Sequence, residues 1–265
     1  MSFEFLNWKR DKKAVLIFAG FYVSFGMLAA IFQERLIYIP NGQDFESCPD
    51  FLSAEKVNYK GTRMYFRNNG SRLAVFYHGN AGSACDRAFI AEIFSQNGYS
   101  YLIPEYAGYS GGSVQPTHEL LLGDVRHTVQ FLKERNFSEI IVVGESIGTG
   151  FASYHVSLAS PRALVLISPF PTLLDIAKRK FWFYPVSLMV KTPFNSKELL
   201  RNFKGALLVI HGDQDSIVPL SLGKELFSSI VTKEKNMLVV EGAGHNDLFS
   251  FPETYDALIN FLKST

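Results

Sequence analysis

Ile140-Ile141-Val142-Val143-Gly144-Glu145-Ser146-Ile147-Gly148-Thr149-Gly150 is the stretch from which the rest of this chain is read. Four β-branched residues favour an extended strand. A Gly-x-Ser-x-Gly turn follows, and after it an apolar segment with small residues from 151 to 158. That order predicts strand, sharp turn, helix, the context in which such a turn presents a nucleophilic serine. Glycines at 144 and 148 remove the Cβ atoms that would crowd the turn. The Ser146 hydroxyl is thereby expected to stand clear of the strand, above the start of a helix.

Outward from this turn, apolar runs alternate with amphipathic segments. Residues 73–77, 99–104, 163–168, 207–210 and 237–240 read as buried strands. Residues 56–59 and 63–66 read as two short strands joined at Gly61, and Asn69-Gly70 as a tight turn. Helical spacing of Leu122, Val125, Val129 and Leu132 predicts a helix within 117–135. A helix of about a dozen residues carries Phe89, Ile93 and Phe94 to a stop at Gly98. Leu222, Leu226 and Ile230 mark another helix. The last one is expected to open with a capping box at Ser250-Phe251-Pro252-Glu253. Strands that alternate with helices predict an α/β fold whose mostly parallel sheet is covered on both faces. Ligands of such sheets sit at the carboxyl ends of the strands.

The residues with chemistry to offer fall at those ends. A serine alcohol is a weak nucleophile and needs a base, which in turn needs an orienting acid. In folds with this elbow the order is serine, acid, histidine. Strand 207–210 runs into His211-Gly212-Asp213-Gln214-Asp215, and strand 237–240 into Glu241-Gly242-Ala243-Gly244-His245. His245 alone of the six histidines follows a late strand in a Gly-rich loop. His118, His127 and His155 fall in helices, His211 ends a strand, and His78 is expected to shape its own loop. Two carboxylates compete for the acid. Asp213 leaves the strand at once and is expected to bond its own turn. Asp215, two residues on, is free to lean towards the histidine and is preferred. The oxyanion of a tetrahedral intermediate needs fixed donors. The backbone N–H groups of Ile147, after the nucleophile, and of Asn80, in His78-Gly79-Asn80-Ala81-Gly82, fit that need.

The segments HGNAGS, GESIGTG, HGDQDSIVP and GAGHND, in this order, resemble the α/β-hydrolase superfamily. The likeness is greatest to its membrane-tethered α/β-hydrolase-domain proteins, a group that includes protein depalmitoylases. It extends over about residues 33–264, with RLIYIP at its start. The resemblance implies a catalytic triad of Ser146, Asp215 and His245, with Asn80 and Ile147 as the oxyanion hole. It implies no cofactor and no metal. One departure is Glu105-Tyr106-Ala107-Gly108-Tyr109-Ser110, where the family commonly has Asp-Tyr-Arg-Gly-Tyr-Gly. Loss of the Arg leaves open how that loop is internally paired, and does not touch the triad.

Two further segments complete the organisation. Residues 14–32, AVLIFAGFYVSFGMLAAIF, carry no charge, and about 19 helical residues span close to 30 Å of hydrocarbon. Lys9-Arg10-Asp11-Lys12-Lys13 precede them, so the basic excess favours a cytoplasmic N-terminus and a hydrolase domain on the opposite side. A retained single-pass anchor is expected. The rivals are a cleaved signal peptide ending at Ala29-Ala30 and a buried core helix. Residues 1–13 then form a basic flank, 14–32 the anchor and 33–265 the hydrolase domain, starting with an aromatic linker over 33–51. Between strands 163–168 and 207–210 lies an insertion, about 171–204, too long for a simple crossover. In α/β-hydrolases this position carries a helical cap. Its Phe181-Trp182-Phe183-Tyr184 cluster suits either an apolar acyl pocket or ordinary packing.

A net charge of +1 offers no basic excess for a nucleic acid partner. Cys48 and Cys85 show no metal spacing; a disulfide between them is left open, although nothing favours a disulfide framework. The reading that follows is a serine hydrolase that cleaves carboxylic ester or thioester bonds through an acyl-enzyme on Ser146. Its partners would be a membrane and a small-molecule or acylated-protein substrate. The alternatives are a serine peptidase of the same fold, for which no acidic pair to bind a substrate amine is evident, and a non-catalytic membrane-tethered binding protein.

Overall fold

The computed structural model describes residues 8–40, 43–51, 53–111, 114–190 and 194–265. Asn41-Gly42 of the expected linker, Gly112-Ser113 of the loop after the fourth strand, and residues 1–7, 52 and 191–193 lie outside the described residues. So do the side chains of Lys9, Arg10 and Asp11 in the basic flank.

The chain begins with α1 (Trp8–Ile31) and the short α2 (Gln33–Ile37). The strands β1 (Glu55–Tyr59), β2 (Thr62–Arg67) and β3 (Arg72–Tyr77) follow. Strand and helix then alternate: α3 (Ala88–Gln96), β4 (Ser100–Glu105), α4 (His118–Lys133), β5 (Glu139–Glu145), α5 (Gly148–Leu158) and β6 (Ala163–Ile167). Three short helices, α6 (Leu173–Lys180), α7 (Val186–Met189) and α8 (Ser196–Leu199), intervene before β7 (Ala206–Gly212). The chain closes with α9 (Leu220–Ser229), β8 (Lys235–Val240) and α10 (Pro252–Ser264).

The eight strands form one sheet in the order β1-β2-β4-β3-β5-β6-β7-β8. β1 and β2 pair antiparallel, as do β2 and β4, and every other neighbour is parallel. β3 shows why these strands read as unbroken apolar runs. Successive side chains of a strand point to opposite faces. Leu73, Val75 and Tyr77 join one core with Val142, Leu164 and Val209, while Ala74 and Phe76 join another with Val143, Val165 and Ile210. Both faces are covered, so alternation with polar residues would leave polar groups buried. Each such side chain contributes roughly 1.5–3 kcal/mol by leaving water.

The structure corrects or adds to the sequence expectation at several places. The segment read as a linker is part of the core: Tyr38, Phe45, Cys48 and Phe51 are buried, and Phe51 stacks on Tyr65 with ring centroids 4.0 Å apart. Cys48 and Cys85 are joined in a disulfide with Cα atoms 5.9 Å apart, although they lie 37 residues apart in the chain. Ser250 does not cap α10, which starts at Pro252 after Phe251 and has no side-chain cap. Proline at the first helical position has no N–H to satisfy and fixes φ for the helix. Finally, α1 is not separate from the rest. The Tyr22 and Tyr184 rings stack with centroids 4.2 Å apart, which ties it to the segment between α6 and α7. α1 is long and apolar enough over Lys12–Ile31 to cross a membrane, and Val15, Leu16, Phe18 and Phe21 on it are exposed.

Candidate active site

β5 delivers Ser146 on its carboxyl end, and the turn is as tight as the glycines imply. Ser146 has φ of 52°, the left-handed region that an L-residue enters only at a cost of order 1 kcal/mol. Its N–H donates to the Ile167 carbonyl of β6 at 2.8 Å, and its own carbonyl accepts from the Thr149 N–H at 2.9 Å. A Cβ on Gly144 would stand 2.5 Å from the Gly148 carbonyl oxygen, and one on Gly148 only 2.1 Å from that of Tyr77. No other residue type fits at either place without moving a strand. The strain is therefore held by β3, β5 and β6 together.

β7 and β8 deliver the partners. His245 Nε2 lies 2.9 Å from Ser146 Oγ, and His245 Nδ1 lies 2.7 Å from Asp215 Oδ2. An ionised carboxylate can only accept, so Nδ1 carries the hydrogen and Nε2 is left to accept from the serine hydroxyl. Asp215 is buried, whereas Asp213 is exposed. The other Asp215 oxygen, Oδ1, accepts from the Ile217 and Val218 N–H groups at 2.9 and 2.7 Å. Burial pushes this carboxyl upward, but hydrogen bonds from His211 and His245 outweigh it and hold Asp215 well below the usual carboxylate range. It is an anion wherever the protein is folded at ordinary pH.

Asp213 does not bond its own turn, as the sequence suggested. Its Oδ1 accepts from the Gly242 N–H at 2.8 Å, across to the loop that carries His245. Asp247 braces the same loop by accepting from the Gly244 N–H at 2.7 Å. His211 is buried, its Nε2 donating to the Val218 carbonyl at 2.8 Å, and so stays out of reach of Ser146. His155 is buried against the Tyr77 hydroxyl at 2.9 Å, and burial pushes its pKa down to about 3. His78 is buried too, with Nδ1 2.8 Å from the Gly79 carbonyl and its ring stacked on Tyr106.

Asn80 follows β3 as expected, and its side chain has a task of its own. Asn80 Oδ1 accepts from the Ile39 N–H at 3.0 Å and from the Tyr109 hydroxyl at 2.9 Å. Its Nδ2 donates to the Ile37 carbonyl. The loop is thus bolted to the chain just after α2. Among the described residues neither the Asn80 nor the Ile147 backbone N–H has a hydrogen-bond acceptor. Two arginines that the sequence reading passed over complete the frame. Arg87 forms a forked pair with Glu145, the residue before Ser146, at 2.8 and 3.1 Å. Arg63 donates to the Tyr109 and Ser110 carbonyls at 2.7 and 3.2 Å, bracing from β2 the loop that has Ala107 in place of an arginine. Neither carries a motif; only the facing of β2 and of the turn before α3 towards these loops reveals them. Among the described residues no three His, Cys, Asp or Glu side chains gather as a metal site.

No protein-family model matches the chain. An uncharacterized protein of Mycobacterium tuberculosis is 30% identical over 277 residues, spanning 98% of both chains. The mouse lysophosphatidylserine lipase ABHD12 is 24% identical over 284 residues, which cover 83% of this chain and 70% of that one. Among solved structures, the Pyrococcus furiosus esterase Pf2001 superposes with a TM-score of 0.68 at 21% identity, covering 85% of this chain and 98% of the esterase. A monoacylglycerol lipase from Paleococcus ferrophilus does so with a TM-score of 0.58 at 15% identity, covering 76% and 98%. With its sheet order, its elbow and these relatives taken together, the chain belongs to the α/β-hydrolase superfamily.

Proposed function

We propose that this protein is a membrane-anchored serine hydrolase of the esterase or lipase kind, acting on acyl esters or thioesters. The observation that carries the proposal is the unbroken chain of contacts from Ser146 Oγ through His245 to the buried carboxylate of Asp215. His245 Nε2 takes the proton as Ser146 Oγ attacks the acyl carbon. The oxyanion that forms is met by the N–H groups of Asn80 and Ile147. Collapse of the intermediate breaks the bond to the alcohol or thiol, which leaves with the proton from His245. Water, activated by the same histidine, then releases the acid and restores Ser146. Throughout, Asp215 keeps the ring in one tautomer and stabilises its charged form.

The lipase and esterase names among the relatives favour an acyl substrate over a peptide. The anchor is the apolar run of α1, with the basic residues at the start of that helix on the cytoplasmic side. The Cys48–Cys85 disulfide supports the same orientation, since such bonds persist in oxidising compartments and the hydrolase domain would lie in one. The test is a fluorophosphonate probe on membranes that hold the full chain. Ser146→Ala should lose all labelling and lower ester turnover by roughly 10⁵–10⁶-fold. Labelling retained by that variant would sink the assignment.

A further inference from the structure

α1 makes its main contact with the cap in the middle of its apolar run. Tyr22 stacks on Tyr184, donates from its hydroxyl to the Phe183 carbonyl, and accepts from the Tyr184 hydroxyl at 3.4 Å. Phe25 lies against the same ring at 6.0 Å. One turn on, Gly26 packs closely against the cap: a Cβ there would meet Tyr184 at 3.3 Å and Met189 at 3.4 Å. Tyr22 precedes Ile31 by nine residues, about 13 Å along the helix axis. The hydrocarbon half of a bilayer is about 15 Å thick. A helix that spans the membrane over Lys12–Ile31 therefore carries the Phe183–Tyr184 segment close to the midplane.

We propose that the cap tip, residues 181–189, is inserted in the lipid leaflet beside the anchor, so that the hydrolase domain holds the membrane at two points. The inference rests on reading α1 as a bilayer anchor. The tip has the surface such a position needs. Trp182 is 81% exposed and Leu188 88%, and Phe181 and Phe183 are exposed beside them. A soluble surface rarely gathers so many large apolar side chains in one place. Part of the tip's backbone is paired within the cap, as a position in lipid favours: the N–H groups of Phe181, Tyr184, Val186 and Leu188 find carbonyls there. The last turn of α6 brings Lys178, Arg179 and Lys180 immediately before the aromatic run. Their charges can reach back to headgroup level while their stems stay apolar, and they suit an anionic membrane face.

Between the anchor and the cap runs an apolar cleft of about 300 Å³ lined by Phe25, Ala29, Leu36, Ile176, Phe181 and Met189. With its Phe25, Ala29, Phe181 and Met189 end at bilayer depth and its Leu36 and Ile176 end beyond Ile31, its occupant is a lipid hydrocarbon chain rather than water or a folded partner. An acyl substrate would then approach the cap from the leaflet.

Trp182 reports the depth directly. The chain has two tryptophans, and Trp8→Phe leaves Trp182 as the only one. The full-length variant is reconstituted in phosphatidylcholine vesicles whose acyl chains are brominated at successive positions. Insertion predicts a blue-shifted emission that loses most of its intensity to chain bromines and resists aqueous iodide. A red-shifted Trp182 quenched by iodide alone, on protein that survives a carbonate wash, overturns the insertion and leaves the anchor standing. Release by carbonate overturns the anchor reading as well. Shielding from both quenchers that weakens on dilution of the protein would mean that a second copy covers the tip, and also sinks the proposal.

Discussion

Asp213 and Asp215 are two residues apart, carry the same carboxylate, and do unlike things. Asp215 is buried with its two oxygens divided between loop N–H groups and a histidine. Asp213 is exposed and ties its turn to Gly242. Asp215→Asn should keep the fold but leave His245 free to take the wrong tautomer, lowering turnover by about 10⁴-fold. Asp213→Asn should cost about 1 kcal/mol of stability for one lost hydrogen bond and leave turnover near normal. Steady-state kinetics and urea titration of the two variants separate these outcomes, and a dead Asp213→Asn enzyme beside an active Asp215→Asn one would reverse the assignment. The pH signature follows in sign from the depressed Asp215 carboxyl. Its stabilising contribution is complete above the ordinary value of 3.8 and is lost as acid drives the pH below it.

The elbow works because β3, β5 and α5 approach more closely than side chains allow. Gly148→Ala places a methyl against the Tyr77 carbonyl, at the end of the strand that leads into His78 and Asn80. We expect a loss of about 3 kcal/mol, at the upper end of overpacking costs, together with a displaced Asn80 loop. Thermal unfolding and probe labelling of the variant measure the two effects separately. Native-like stability with full labelling would mean that α5 can shift freely. α5 also carries His155, which meets Tyr77 from the other side. Its pKa falls from 6.5 to about 3 on burial, so the folded protein refuses a proton that the unfolded chain accepts. Stability is complete above pH 6.5 and declines as the pH falls from there towards 3, by up to about 1.4 kcal/mol per pH unit. Burial raises Asp124, on α4, from 3.8 to about 6, which acts in the opposite sense over the upper part of that window. His155→Gln, neutral at every pH, should therefore leave a protein whose stability rises as the pH falls from 6 to 4 in urea titrations, where the His155 and Asp124 contributions otherwise nearly cancel.

Long-range ties hold the N-terminal third to the rest of the molecule, among them the disulfide, the bonds from Asn80 to Ile37 and Ile39, and the docking of α1 on the cap. The disulfide joins the segment before β1 to the start of α3. Replacing both cysteines by serine should lower stability by about 2–4 kcal/mol, because the open chain regains the freedom of a loop 37 residues long. The change is read as a lower urea midpoint with an unaltered active site. An unchanged midpoint would show that buried Phe45 and Phe51 alone hold this segment in place.

Strands, elbow and the serine–acid–histidine order are local matters. A strand buried on both faces must be apolar throughout, a turn this tight must be glycine at both ends, and chemistry of this kind needs its groups just past strand ends. Such constraints act within a few residues, so they were legible along the chain. That Cys48 and Cys85 meet, that Arg63 and Arg87 brace loops 46 and 58 residues away, and that the first helix packs on a cap some 160 residues later leave no periodic mark. The same holds for Asp213, whose partner lies on the neighbouring strand's loop rather than in its own turn. These depend on which side of the sheet each connection crosses and how far each loop leans, and only the packed structure settles that.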